Sequence, residues 1–206
     1  METIFTERHN LRNSKTELFG GQLVEPFERP SRAEYIISRV REVGLGPISE
    51  PLDFGLAPIL AVHDAGFIYF LQIAWRDWQA ADFRGEAMPT VWPARRMSQR
   101  IPTDIEGRLG YYALSCETSI SDGTWEAAYA SAQVALTGAS RISQGARAVF
   151  SLCRPPRPSC CNRHIWRVLF CEQRSRRRTA FARHEGQTRC DPRCRFSPWQ
   201  WHARYL

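Results

Sequence analysis

Arg147-Ala148-Val149-Phe150-Ser151-Leu152-Cys153-Arg154-Pro155-Pro156 is the stretch on which the reading of this chain turns. Its first six residues form a short apolar run behind Gly145, and the Pro pair closes it. Such a run reads as a buried strand of a parallel sheet, since a strand covered on both faces needs no polar alternation. Upstream, a helix is predicted over about 124–143, carrying Trp125, Ala128, Ala132, Val134 and Leu136. Small residues dominate one of its faces and would permit close packing against a sheet. A helix over a sheet, leading into a buried strand, is the pattern of βαβ units, so the fold class is α/β.

Two more helices precede it. Ser31 and Glu34 make a capping box just after Pro30, and Ile36, Ile37, Val40 and Val43 follow at helical spacing until Gly44. Asp64 is a predicted N-cap for a helix running through Phe67, Phe70, Leu71, Ala74 and Trp78. Between these, Asp53-Phe54-Gly55 and Pro58 form a connection into a short helix near 59–62. Residues 83–110, rich in Pro, Gly, Arg and Met, show no clear period and read as a long excursion, of a length that in compact domains is usually functional or mobile.

Beyond Pro156 the composition changes. Residues 1–156 hold 16 Lys+Arg against 18 Asp+Glu; residues 157–206 hold 12 arginines, no lysine, three acids and five of the seven cysteines. The two parts carry −2 and +9, so the basic character of the whole belongs to the tail. No apolar stretch is long enough to span a membrane. The N-terminus has no basic-then-apolar leader, so a cytoplasmic setting is expected. Cys116 and Cys153 then read as reduced, small core residues.

The tail admits two chemical readings. Cys160, Cys161, His164, His184, Cys190 and Cys194 could be zinc ligands, but their spacing lacks the two close pairs a structural site wants. Arg174, Arg176, Arg177 and Arg178, with Trp166, Trp199 and Trp201, could bind phosphates and stack on bases. A non-enzymatic protein whose tail binds nucleic acid or a partner is therefore the alternative function. The absence of lysine there speaks against a selected basic arm, and the weight falls against nucleic acid.

A resemblance sharpens the rest. Lys15-Thr16-Glu17-Leu18-Phe19-Gly20-Gly21, Pro26-Phe27-Glu28-Arg29-Pro30 and Arg32-Ala33-Glu34-Tyr35-Ile36 resemble bacterial acetylpolyamine amidohydrolases, of the histone deacetylase family. So do Val62-His63-Asp64, Leu109-Gly110-Tyr111-Tyr112, Asp122-Gly123-Thr124-Trp125-Glu126-Ala127-Ala128 and Leu152-Cys153-Arg154-Pro155-Pro156. The resemblance implies that residues 1–156 are the N-terminal portion of an arginase/deacetylase-like parallel-sheet fold. That fold would be incomplete here, with a disordered tail at 157–206. It implies a hydrolase that removes acetyl groups from acetylpolyamines or acetyl-lysine-like compounds with Zn²⁺ held by two Asp and one His. A His pair serves the water there, and a Tyr the oxyanion. The partners it implies are small cationic acetylated amines and a second copy, with no membrane. It also places Glu17, Glu106 and Glu117 at the substrate entrance, where carboxylates would attract a cationic amine. Each could equally be a solvated surface acid. His9 and His63 read as structural, Phe19 as entrance or core, Trp92 and Trp125 as packing, and Arg154 as support for the strand end.

In that family Cys-Arg-Pro-Pro runs on into Gly-His-His-Ala, but here it runs into Arg157-Pro158-Ser159-Cys160-Cys161. Written as CGG CCA TCA TGC TGC and read one nucleotide later, those five codons give Gly-His-His-Ala-Ala. The shifted frame permits Tyr just ahead of Trp166 and then Gly-Gly-Tyr-Cys-Phe-Val-Asn-Asn over Trp166 to Gln173; Asp191 through His202 permits Leu-Asp-Val-Asp-Phe-His-His-Gly-Asn-Gly. Trp199 and Trp201, each followed by a codon starting with C, force Gly in that frame. One extra nucleotide near codon 156 is the expected origin of the tail. This chain is therefore expected to be truncated, to hold no catalytic zinc, and to be inactive.

Overall fold

The computed structural model of the protein describes residues 1–155, except 95–97, 114 and 118. The tail lies outside the described residues, and with it the expectations of disorder, zinc binding and nucleic-acid binding made for it. Three short parallel strands, β1 (Glu2–Ile4), β4 (Ile48–Ser49) and β5 (Val149–Ser151), form a sheet in the order β4-β1-β5. Thr3 stands opposite Ile48 on one side and Phe150 on the other. A hairpin of β2 (Glu17–Phe19) and β3 (Gln22–Val24) projects between β1 and α1 (Pro30–Glu42). Helices α2 (Ala57–Leu60), α3 (Ala65–Ala80), α4 (Ile105–Tyr112) and α5 (Thr124–Ser143) fill the long return from β4 to β5.

Alternation along β5 sorts the two covers of the sheet. Phe150 and Leu152 pack with Phe5 against Ala33, Ile37 and Val40 of α1. Val149 and Ser151 face the other way, toward Gly138 of α5. A Cβ on Gly138 would stand 2.0 Å from Ser151 Oγ, so the helix can approach the strand only because that position is bare. Covered twice, β1 buries Thr3 and Ile4 completely. The opposite flank of α5 places Ala128 and Ala132 in a second core with Phe67, Phe70 and Leu71 of α3 and Leu109 and Tyr112 of α4. Phe70 and Tyr112 stack there at 4.7 Å.

Several expectations are confirmed and several corrected. α5 occupies the expected span, and the Asp64 carboxylate caps α3 by accepting from Phe67 N at 3.1 Å. The strand expected at 147–152 is real but pairs only over Val149–Ser151. Ser31 caps nothing: α1 starts one residue earlier, with Pro30 in its first turn and Arg29 at the N-cap position without a side-chain bond. A proline already fixed in the helical φ does what the capping box was expected to do. The excursion hides α4, capped by the Asp104 carboxylate on Gly107 N at 2.7 Å. Cys116 and Cys153 are free thiols but only half-buried, so they are not core residues. Phe19 is exposed on the hairpin, packed edge-on against Phe27. Among the described residues no helix is long and apolar enough to cross a membrane.

Candidate functional site

The first strand in sequence lies in the middle of the sheet. The chain leaves β1 toward one edge through α1 and later returns to the other edge. In open parallel sheets such a reversal opens a crevice beyond the carboxyl ends of the two strands involved, and ligands bind there. Here those strands are β1 and β5, so the rule expects a crevice between residues 5–12 after β1 and 152–155 after β5.

Arg154, three residues past the end of β5, ties these two segments together. Its guanidinium, 3 % exposed, donates to His9 O at 2.6 Å, Arg12 O at 2.8 Å, Glu28 O at 3.4 Å and Glu28 Oε1 at 3.1 Å. The fixed fork of a guanidinium suits it to several carbonyls at once, which an ammonium cannot match. Glu28 is buried too, and its other carboxylate oxygen takes Arg32 of α1. Burial, then the Arg32 charge, lowers the Arg154 pKa to about 10, which still leaves a cation at neutral pH. Arg12, equally buried, donates to Thr124 Oγ1 at 3.3 Å at the start of α5. Burial lowers it to about 10 as well, partly offset by Glu86. Just before α5, Gly123 has φ +70°, and a Cβ there would stand 2.6 Å from Leu11 O. The segment after β1 is thus clamped from three directions.

The three expected entrance acids do not fall in one place. Glu17, half-buried at the start of the hairpin, accepts from Phe27 N at 3.1 Å. Glu117 is half-buried in the turn before Ser119, its N–H 3.4 Å from Ser115 Oγ. Lys15 and Ser119, each two residues from one of these acids, both bond to Glu86, so the two loops meet. Glu106 stands apart, in the first turn of α4, lining an open groove of about 400 Å³ with Asp77, Phe83, Asp104 and Arg108. No residue of the Glu17 or Glu117 loops lines that groove. Sequence reasoning missed Glu86 and Arg12, which lie outside every quoted motif. Glu28 sat inside one, and that was the only available signal.

No family model matches the chain. Individual relatives do. The acetylpolyamine amidohydrolase of Mycoplana ramosa is 55% identical over 156 residues, which is 76% of this chain and 46% of that protein. Over that matched part, the chain is similar to acetylpolyamine amidohydrolases. The solved acetylpolyamine aminohydrolase of Burkholderia pseudomallei superposes with a TM-score of 0.81 at 30% identity, covering 89% of this chain and 53% of that one. A solved HDA15 HD domain, 15% identical, shares the fold alone, with a TM-score of 0.61 over 90% of this chain and 43% of its own. The chain spans about half the length of the curated amidohydrolases it matches.

The zinc implied for an amidohydrolase of this kind finds no holder among the described residues, where no three His, Cys, Asp or Glu side chains are grouped to bind a metal. His9 instead lays its buried ring against Phe5 at 5.2 Å, and His63 packs on Phe67 at 5.9 Å. Burial first, and the Arg154 charge second, lower the His9 pKa, so the ring is neutral at pH 7. Neither histidine is placed as a ligand or a base.

Proposed function

We propose that residues 1–156 are the amine-recognition part of an acetylpolyamine deacetylase, and that this chain as written binds cationic amines without hydrolysing them. The observation that carries the reading is the Arg154 clamp. It fixes the loop after β1, and through Glu28 the return from the hairpin bearing Glu17, onto the end of β5. A substrate seated beyond the strand ends would meet carboxylates whose backbone is held, which favours a cation electrostatically at little ordering cost. Glu17 and Glu117 would bind the free amine of the polyamine; Glu106, in its separate groove, would act as a longer-range attractor.

Inactivity follows from sequence. The resemblance places a glycine and then the two catalytic histidines after Pro156, where this chain carries Arg157, Pro158 and Ser159. The one-nucleotide reading of the tail accounts for that replacement and for the tail's Arg, Cys and Trp content together. The described residues offer zinc no ligand set, so no hydrolytic step is assigned to them. A cytoplasmic setting suits reduced Cys116 and Cys153.

The test uses the purified chain with N-acetylputrescine and added zinc, following acetate release and, separately, amine binding by calorimetry. Binding without acetate is the expected result. Sustained acetate release would overturn the inactivity, and absence of binding would overturn the recognition role.

A further inference from the structure

Glu86 joins the two loops that carry Glu17 and Glu117. Its Oε1 accepts from Lys15 N at 2.6 Å and its Oε2 accepts from Ser119 Oγ at 2.6 Å. Ser119 has one hydroxyl proton and gives it to Glu86. The Ser14 hydroxyl, 3.1 Å from Ser119 Oγ, must therefore donate to Ser119. The result is a proton-ordered chain from Ser14 through Ser119 to the carboxylate. Beside it, Ala87 and Ile120 exchange both backbone bonds, at 2.8 and 2.9 Å, as an isolated bridge, so the segment carrying Glu86 is itself pinned beside Ser119. Ala87, Ser119 and Ile120 are buried. Charge-assisted bonds of this kind are shorter and stronger than neutral ones.

The spacing gives the knot its meaning. Glu17 follows Lys15 by two residues and Glu117 precedes Ser119 by two, so the chain from Glu86 to either acid is short and tethered at its near end. Glu86 spends both oxygens on this joint and also lies in the field of the buried Arg12 cation. We propose that Glu86 is a positioning residue, setting the separation of Glu17 and Glu117 so that both carboxylates address the same cationic amine. The proposal rests on the amine-recognition reading above. It assigns Glu86 no contact with the ligand: the residue acts through the two loops it ties.

The experiment measures N-acetylputrescine affinity of the full chain by calorimetry, with amide hydrogen exchange as a second readout. Glu17→Gln and Glu117→Gln test the underlying reading, and each should weaken binding about tenfold. Glu86→Ala should weaken it by about the same factor, while Glu86→Gln, which still accepts from Lys15 N and still bonds Ser119, should return to within about threefold of the parent. Ser119→Ala is the milder cut for the case that Glu86→Ala does not fold. It should raise exchange in 14–19 and 115–120 and weaken binding, and Ser119→Thr should restore both. In a Glu17→Gln/Glu117→Gln background, Ser119→Ala should change affinity no further. Glu86→Gln binding as poorly as Glu17→Gln would make Glu86 a ligand contact and overturn the positioning role. Parent-like affinity in both Glu86→Ala and Ser119→Ala would overturn it too. Indifference of affinity to Glu17→Gln and Glu117→Gln would instead remove the recognition reading, and the proposal with it.

Discussion

At the scale of single residues, Arg154 and Glu28 dominate. A buried ion pair is costly to break from one side, because the remaining charge stays desolvated. Arg154→Met should therefore lower stability by about 3–5 kcal/mol, read from urea unfolding, with the strain relieved in part by a second change, Glu28→Gln. Both residues were visible in quoted motifs, yet their pairing was not. They lie 126 positions apart, and no local rule of spacing reaches that far. His9 gives a pH-dependent counterpart. Its folded pKa lies below the unfolded 6.5, chiefly through burial and then through Arg154, while Glu7 and Glu34 pull the other way. The unfolded chain thus holds the His9 proton more tightly. The contribution is complete above about pH 6.5 and is lost as pH falls below it. His9→Phe should flatten the fall in urea stability between pH 7 and 5.5 relative to the parent; an unchanged slope would show that other groups set it.

At the scale of elements, α5 is the organiser. Tyr129, Gln133 and Thr137, one turn apart, hold residues 52–55, the first through the Asp53 carboxylate and the other two through backbone. Thr137 Oγ1 accepts from Leu52 N at 2.9 Å, Gln133 accepts from Phe54 N at 2.9 Å, and the Tyr129 hydroxyl donates to Asp53. Burial, then Asp53, pushes the Tyr129 pKa up to about 12, so this donor keeps its proton throughout the working range. Thr137→Val, nearly isosteric, should cost about 1–2 kcal/mol by stranding the Leu52 amide, measured by thermal unfolding. Gly138→Ala should cost about 1–3 kcal/mol, since Ser151 occupies the space a methyl needs. The length and small-residue face of α5 were legible because twenty residues give a helical period room to repeat. The sheet was far less so. β1 and β5 are three residues long and β4 two, too short for any alternation to register. α4 escaped because Pro102 stands just before it and Gly107 in its opening turn, interrupting the pattern, although Asp104 was available as a cap signal.

At the scale of the whole molecule, two parts of opposite charge share one chain, and 156 of its residues are similar to an acetylpolyamine amidohydrolase. The strand β5 and Arg154 of the Cys-Arg-Pro-Pro stretch are in place, so on the proposed reading the change falls within a few residues of where the chemistry would begin. This is why a frame slip near codon 156 explains more than an added basic arm does. Such an arm would leave the close match up to Pro156 unrelated to the abrupt change after it. The most direct measurement is the base sequence of the gene from codon 150 through the end of the tail. The account expects the register one nucleotide on to spell Gly-His-His straight after Pro156 and to stay open past Trp201. A stop codon in that register, or any other residues at those three positions, would contradict it.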